Sequence, residues 1–247
     1  MEFYIIRHAQ SANNELYART GATDGRHPDP ALTGIGHIQA NHLARFLAGK
    51  EDGELGYNAH LHNRDGFSLT HLYTSLMIRS IETATYIAGA TRLPLYAWPD
   101  IHERGGLYTV DEHGQEVGVA GPNRQELESV YPHLILPNSI DQQGWWRNRP
   151  RETVEEALIR ARLVWEQLTE RHGNSDDRVA IVTHGGFFQS LVSTLFTSAA
   201  LVEELGMGEL WYGISNASVS RIDLIAEGIA IRYLNRIDFL PGNLITG

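Results

Sequence analysis

The chain has 247 residues, of which 42% are hydrophobic, and this length and apolar content are sufficient for one well-buried core. Its formal charge of −10 at pH 7 argues against nucleic acid or an anionic membrane as a partner, because both are bound through an excess of Lys and Arg. The sequence contains no cysteine, which excludes disulfides and thiolate metal sites.

The segment Glu2–Ile6 is almost continuously apolar, which is typical of a central strand covered by helices on both faces. No signal peptide precedes it, and no apolar run approaches the ~18 residues of a membrane span, so we expect a cytoplasmic protein. Arg7 and His8 follow this strand directly. Because an imidazole can act as a nucleophile and a guanidinium can hold phosphoryl oxygens, the pair is suited to phosphate.

A helix is predicted between Thr33, a candidate N-cap, and Gly49. Its apolar residues recur at helical spacing and are Ile35, Ile38, Leu43, Phe46 and Leu47. Residues 50–68 then lose this period and are rich in Gly, Asn, Asp and His. That change of composition predicts an exposed insertion.

The run Leu72–Ser75 predicts a second strand, and a helix carrying Arg79 follows it. The buried stripe of this helix is predicted to contain Ile78, Ile81, Ala84, Ile87 and Ala88. Arg79 then falls in the first turn, where free backbone amides also favour an anion. We therefore expect Arg79 to contribute to the same phosphate site.

A short strand over Leu93–Trp98 is predicted to bring Glu103 to the edge of the sheet. Residues 107–150 follow, and they are rich in Gly, Pro, Asn and aromatic residues. This composition predicts a second insertion, and its position makes it the candidate lid over the site.

The sequence after Thr153 forms a capping box and predicts a long helix. The face of this helix toward the core is predicted to carry Val154, Leu158, Ala161, Trp165 and Leu168. Arg160, Arg162 and Arg171 are expected on the solvated face.

The strand Val179–Thr183 ends at His184-Gly185-Gly186, and the two glycines allow a tight turn into a helix over Phe187–Phe196. The segments Val219–Ile225 and Ile229–Leu234 predict a terminal hairpin.

Three predicted strand ends each supply a cationic or imidazole group, which is the expected layout of a site at the carboxyl edge of an open α/β sheet. We expect an α/β fold, specifically a three-layer sandwich with a mostly parallel central sheet and helices on both faces. The chain is predicted to be a single domain over residues 1–247, with insertions at about 50–68 and 107–150.

The order of these residues resembles the signature of the histidine phosphatase superfamily, in its phosphoglycerate-mutase-like group. Ala9 stands where the family signature Arg-His-Gly has its glycine. The segment 29–36 is similar to the family's turn into its first helix. The resemblance implies a phosphoglycerate-mutase-like fold and a site built around His8.

By this resemblance, His8 is the phosphohistidine nucleophile, Glu103 the proton donor and His184 the second imidazole. Arg7 and Arg79 would be phosphate clamps. Further candidate contacts with phosphate or substrate are Asn14, Thr20, Gly21, Gly185 and Asn216, together with Gln10, Arg19, Arg104, Tyr108 and Arg124.

The activity that we expect is a metal-independent phosphomonoesterase acting through a phosphohistidine on His8. Arg7, Arg79 and a protonated His184, with Asn14 assisting, would stabilise the charge on the phosphoryl oxygens. No cofactor or metal is required, and the partner would be a small phosphorylated substrate.

Two other functions use the same residues. A phosphoglycerate mutase would return the phosphoryl group to the sugar acid, but family mutases carry an extra basic segment after the acidic residue, whereas residues 107–121 contain no Lys or Arg. A non-catalytic phosphate-binding protein would be expected to lack His8 or Glu103. The sequence leaves the substrate and the oligomeric state open.

Overall fold

A computed structural model describes residues 1–50, 56, 58–196 and 211–247. Within this part of the chain, seven strands form the central sheet in the order β6-β3-β2-β7-β1-β8-β9. These strands are β1 (Glu2–Arg7), β2 (His71–Thr74), β3 (Leu95–Ala97), β6 (Leu134–Ile135), β7 (Arg178–Thr183), β8 (Val219–Ile225) and β9 (Gly228–Arg236). Two further strands, β4 (Tyr108–Val110) and β5 (Glu116–Gly118), form a separate antiparallel pair.

The sheet is parallel from β6 to β1 and antiparallel from β1 to β9. Arg7 at the end of β1 pairs in register with Thr183 at the end of β7. Thr74 at the end of β2 pairs with Val182. The carboxyl ends of the three central strands therefore meet at one edge, as the sequence predicts. The terminal hairpin β8–β9 is also confirmed, and it extends the same sheet.

Six helices are described: α1 (Ala12–Thr20), α2 (Gly34–Ala48), α3 (Ile78–Thr91), α4 (Arg124–Val130), α5 (Val154–His172) and α6 (Gly185–Phe196). Helices α2 and α3 pack on one face of the sheet, against Tyr4 and Ile6 of β1. Helices α5 and α6 pack on the other face, against Phe3 and Ile5. Alternate residues of one strand thus face two cores, which confirms the three-layer sandwich.

The predicted caps are observed at both long helices. The Thr33 hydroxyl accepts a hydrogen bond from Gly36 N, and the Thr153 hydroxyl accepts one from Glu156 N in a full capping box. None of the helices in the described ranges is long and apolar enough to cross a membrane.

The predicted apolar stripes need correction at two helices. On α2, Ile38 is 49% exposed. On α5, Val154 and Leu158 are exposed and the buried face instead centres on Ala161 and Val164. Helix α5 also exposes Ile159 and Leu163, so its sequence carries apolar residues on two faces and spacing alone does not decide which one is buried.

The two predicted insertions are only partly exposed. In the first, Asn63 and Phe67 are buried, and residues 51–55 and 57 lie outside the described ranges. The second contains β4, β5, α4 and β6, and β6 joins the central sheet beside β3. The second insertion is therefore anchored in the body of the fold through β6.

Candidate active site

Three strands and the turns that follow them build the site. His8 follows β1, Ser75 follows β2, and His184 lies between β7 and α6. His8 N donates to Thr183 O at 2.9 Å, and Ser75 N donates to Val182 O at 3.2 Å. The ladder hydrogen bonds thus continue one residue beyond the strands, which fixes the backbone where the polar side chains emerge.

His8 is buried and held in one tautomer by two neighbours. Its Nδ1 lies 2.7 Å from Ala9 O, which can only accept, so Nδ1 carries the proton. Arg79 Nε donates to His8 Nε2 at 3.1 Å, so Nε2 presents its lone pair. Burial lowers the pKa of His8 well below its ordinary value, and the charges of Arg79 and Arg7 lower it further. The ring is therefore neutral, and its Nε2 lone pair accepts the Arg79 hydrogen bond in the free protein.

Arg79 is buried in the first turn of α3, and Asp29 lies beside it. The closest approach is 3.6 Å, between Arg79 Nη1 and Asp29 Oδ1. Asp29 Oδ1 also accepts a hydrogen bond from Ile78 N at the start of α3. Burial raises the pKa of Asp29 to about 6, and Arg79 opposes that rise. Asp29 thus contacts both the Arg79 guanidinium and the first residue of α3.

His184 is fully buried beside His8, with ring centroids 5.0 Å apart. Its Nε2 lies 2.7 Å from Ser75 Oγ, whereas Nδ1 is buried without a hydrogen-bond partner among the described residues. Burial, followed by the charge of Arg79, lowers the pKa of His184 well below its ordinary value. The ring is therefore neutral in the free protein, and the expected protonation of His184 beside bound phosphate stays a prediction.

Glu103 reaches the cavity from the loop after β3. Its Oε1 accepts hydrogen bonds from Arg104 N at 2.8 Å and from Phe187 N, in the first turn of α6, at 3.1 Å. A Cβ on Gly186 would lie 2.5 Å from this oxygen. The second glycine of the predicted pair is therefore what allows Glu103 to approach α6.

Arg160 forms hydrogen bonds with this loop. The prediction that Arg160 lies on a solvated face is therefore wrong. Its guanidinium donates to Asp100 O at 2.6 Å and to His102 O at 3.2 Å. It also forms a two-pronged ion pair with Glu152, whose carboxylate is nearly buried. From the second insertion, Trp146 packs against the His102 ring. Two separate parts of the chain thus hold the loop that carries Glu103.

Asn14 and Asn216 meet beneath the site. Asn14 Oδ1 accepts hydrogen bonds from Ser11 and from Asn216 Nδ2, so its amide nitrogen is the group left for the cavity that it lines. Asn216 is fully buried, and its Nδ2 also donates to His8 O at 3.2 Å. Asn216, predicted as a substrate contact, therefore lies behind the wall and supports the His8 backbone.

Arg7 is nearly enclosed at the end of β1. Its Nη1 donates to Ile214 O, while Nε has no hydrogen-bond partner among the described residues. Burial lowers the pKa of Arg7, and Glu103 partly offsets this effect. Gly185 lies against this side chain, since a Cβ there would be 3.7 Å from Arg7 Nε.

Some of these groups line a cavity of about 520 Å³, whereas His184 and Asn216 are fully buried and lie behind its wall. Of the predicted residues, its wall contains Arg7, His8, Asn14, Arg79, Glu103, Arg104 and Tyr108. Gly186 is part of the wall, whereas Gly185 is not. Thr20 and Gly21 lie outside it. Thr20 is the last residue of α1, and Gly21 caps the helix by donating from its N to Tyr17 O. The chain just beyond them contributes Ala22, Thr23 and Arg26 instead.

Several residues of the site were missed in the sequence, and four of them contact the groups described above or line the outer wall. Asp29 and Ser75 contact Arg79 and His184 from behind, and no local pattern marks such partners. Arg26 and Arg151 line the outer wall and lie outside the helices and strands. The Ser75 position could have been found, because Ser75 is the last residue of the run that predicts the second strand, which ends at the site.

A group of His71, His172 and Asp177 could offer three ligand atoms to a metal. It lies at the amino ends of β2 and β7, on the opposite edge of the sheet from His8. His172 Nδ1 donates to Asp177 Oδ2 at 2.8 Å, and its Nε2 lies 3.1 Å from the Tyr73 hydroxyl. Both ring nitrogens are thus already hydrogen-bonded.

Residues 3–237 match the family profile of the histidine phosphatase superfamily, branch 1. The chain belongs to this superfamily. Among curated proteins, the chain is similar to "Phosphoglycerate mutase-like protein 4" of Arabidopsis thaliana, to which it is 23% identical over 205 residues. That alignment covers 83% of this chain and 75% of the relative.

Solved structures show the same histidine phosphatase fold. A phosphoserine phosphatase of Entamoeba histolytica, in complex with 3-phosphoglyceric acid, has a TM-score of 0.57 at 16% identity, covering 97% of this chain and 99% of that chain. A mycobacterial glucosyl-3-phosphoglycerate phosphatase has a TM-score of 0.55 at 15% identity, covering 95% and 98%. At these identities the likeness establishes the fold.

Proposed function

We propose that the protein is a metal-independent phosphomonoesterase that forms a phosphohistidine on His8. The observation that carries this proposal is the state of the His8 ring. It is neutral, its Nδ1 proton is held by Ala9 O, and its Nε2 lies 3.1 Å from Arg79 Nε. A phosphoryl oxygen bound by that guanidinium is thereby brought next to the nucleophilic lone pair.

In the first step, His8 Nε2 attacks the phosphorus and the bond from phosphorus to the ester oxygen breaks. Glu103, whose Oε1 is fixed by two backbone amides, donates a proton to the departing oxygen. The alcohol leaves and the phosphoryl group stays on Nε2. Ala9 O stabilises the ring throughout, because it accepts from Nδ1 whichever bond Nε2 makes.

In the second step, Glu103 takes a proton from water and the resulting oxygen attacks the phosphorus. The bond between phosphorus and Nε2 breaks, inorganic phosphate is released, and His8 returns to its neutral form. Arg7 and Arg79 bind the equatorial oxygens in both steps, and each charge-assisted hydrogen bond is worth roughly 1.5–3 kcal/mol.

His184 has a role that depends on its neutral state. With Nε2 beside Ser75 Oγ, its Nδ1 is left for the phosphoryl group. We propose that a phosphate oxyanion raises the pKa of this ring on binding, so that the ring gains a proton and becomes a donor to the transferring group.

Hydrolysis is favoured over mutase activity by the composition of the chain after Glu103. Residues 107–121 carry no Lys or Arg to enclose a sugar acid, although one relative is named mutase-like. The structural neighbours named above act on, or bind, small phosphorylated molecules. We propose a substrate of this general class.

The test is phosphate release from a panel of phosphomonoesters in the presence of a chelator, with isomerisation of 3-phosphoglycerate followed in parallel. We expect release that survives the chelator and falls to background in His8→Ala. His113→Ala, at an exposed histidine away from the cavity, is the matched control and should retain full activity. Isomerisation without release would make the protein a mutase, and release by His8→Ala would overturn the mechanism.

A further inference from the structure

The outer wall of the cavity contains an arginine for which the proposed chemistry has no use. Arg26 comes from the segment between α1 and α2, and its side chain is half-buried. Its Nη1 donates to the Tyr108 hydroxyl, and its guanidinium carbon lies 4.5 Å from the centre of the Tyr108 ring. Both contacts fix the guanidinium in one orientation at the cavity wall.

Arg26 has no counter-ion among the residues that the structure describes. Among the described residues no carboxylate lies within ion-pairing distance of it, and its Nε is buried without a hydrogen-bond partner. Other arginines of the same wall differ, because Arg79 has Asp29 nearby and Arg151 pairs with Glu116. A half-buried guanidinium that is held in place, with a buried Nε and no ion pair among the described residues, is stabilised when an anion binds to it.

The phosphoryl group itself does not account for this charge. Arg7 and Arg79 emerge beside His8 at the floor of the cavity and suffice to bind its oxygens. Arg26 also repels Arg79, since it is one of the charges that lower the pKa of Arg79. Binding a phosphoryl group at the floor therefore leaves positive charge on the outer wall.

We propose that the leaving group of the substrate carries a second anionic group, a carboxylate or a further phosphate, and that Arg26 binds it. This inference rests on the proposed function and specifies its substrate class. The planar fork of a guanidinium matches both kinds of anion through two parallel hydrogen bonds. Arg26 is thus the residue that determines specificity.

Tyr108 positions Arg26 and is in turn held by Arg151. The Arg151 guanidinium carbon lies 4.7 Å from the centre of the Tyr108 ring, and Arg151 pairs with Glu116 of β5. Tyr108 begins β4, so the β4–β5 pair supports the ring that orients Arg26. The second insertion therefore shapes substrate choice through this ring.

The test compares 3-phosphoglycerate with glycerol 3-phosphate, which differ in a carboxylate against a neutral hydroxymethyl group. Fructose 1,6-bisphosphate and fructose 6-phosphate form the corresponding pair for a second phosphate. We expect the doubly anionic ester of at least one pair to be favoured in kcat/KM by about 10- to 100-fold. Arg26→Ala should remove most of this preference. It should change kcat/KM for the ester that lacks the second anionic group by less than about threefold.

Two matched variants complete the experiment. Arg19→Ala removes an exposed arginine of α1 outside the cavity and should leave the preference intact. Arg26→Lys keeps the charge but loses the fork, and should recover part of the preference. Turnover of the ester that lacks the second anionic group shows that each variant is folded.

Equal preference in the wild type and Arg26→Ala, or no preference in the wild type, would overturn the inference while leaving the phosphatase proposal intact. Binding to the His8→Ala protein, measured by calorimetry, separates the two failures. If turnover is absent but 3-phosphoglycerate still binds more tightly than glycerol 3-phosphate through Arg26, the second-anion site stands and the phosphatase proposal fails. If turnover is absent and 3-phosphoglycerate binds no more tightly than glycerol 3-phosphate, both proposals are wrong.

Discussion

At the scale of single residues, the site holds neutral imidazoles beside permanent cations. His8 and His184 are both buried, and burial with nearby arginines lowers the pKa of each ring well below its ordinary value. In an unfolded chain these rings would take up protons near pH 6.5. Since the folded rings resist protonation, folding loses stability as the pH falls below that value. The nucleophile is therefore ready at neutral pH at some expense to acid stability.

Asp29 is expected to make the activity of the protein depend on pH. Its pKa of about 6 lies above the ordinary value, so it is ionised beside Arg79 above pH 6 and neutral below it. We expect Asp29→Asn to reduce kcat/KM about tenfold at pH 8 because Arg79 is then less firmly positioned. The reduction should shrink toward none at pH 5, where the wild-type carboxyl is itself neutral. Parallel pH profiles of the two proteins measure this ratio.

The control for that experiment is Asp24→Asn, at an exposed aspartate between α1 and α2. Its profile should match the wild type at every pH. A ratio of wild type to Asp29→Asn that does not change with pH would contradict the proposed role of the Asp29 charge.

The residues of the site were predictable to the extent that they are local. Arg7, His8, Arg79 and His184 follow predicted strands, so their convergence could be expected from the sheet alone. Their partners could not be predicted. Asp29 reaches Arg79 from 50 residues away, and Asn216 reaches His8 from the far end of the chain. Only tertiary packing brings such pairs together.

At the scale of elements, the start of α6 determines how closely Glu103 approaches the site. The neighbouring glycines differ sharply in their surroundings: a Cβ on Gly186 would lie 2.5 Å from Glu103 Oε1, whereas one on Gly185 would make only ordinary contacts. We expect Gly186→Ala to displace the carboxylate and lower kcat about 100-fold, because catalysis is sensitive to shifts of about 1 Å.

Gly185→Ala is the matched control for this prediction, and we expect it to keep kcat within about threefold of the wild type. Circular dichroism should show both variants folded. Equal kcat values for the two alanine variants would show that the approach of Glu103 to α6 does not matter.

Caps and strands were predicted more accurately than helix faces, and the reason is physical. A cap such as Thr153 is decided by hydrogen bonds within four residues, and β1 by a continuous apolar run. The buried face of α5 is decided by α6 and by the sheet, because α5 carries apolar residues on two faces. Arg160 was misplaced for the same reason, since its partners Glu152 and His102 are not visible from helical spacing.

At the scale of the whole molecule, one sheet separates two cores and connects every part of the site. The second insertion contributes β6 to that sheet and Trp146 to the packing around the Glu103 loop. The cationic cavity lies in a chain whose formal charge is −10, so its attraction for anions is local. We propose that the described body and its insertions form one domain.

This proposal predicts a single cooperative unfolding transition. Tryptophan fluorescence and far-UV circular dichroism should give the same urea midpoint, because Trp146 in the second insertion and Trp98 in the other core then lose their packing together. Comparing Trp146→Phe with Trp98→Phe assigns the signal to each region. A fluorescence transition of the insertion that precedes loss of secondary structure would instead indicate a separately folding unit.

The most direct measurement of the central claim is to trap the phosphoryl group on the protein. An ester with a leaving group that needs no proton, such as 2,4-dinitrophenyl phosphate, should phosphorylate Glu103→Gln normally, while hydrolysis slows because water is no longer activated. After an alkaline quench, peptide mass spectrometry is predicted to find the phosphoryl group on His8 in Glu103→Gln and none in the double variant with His8→Ala. Rapid turnover with no phosphorylated peptide, or a phosphoryl group on another residue, would contradict the account.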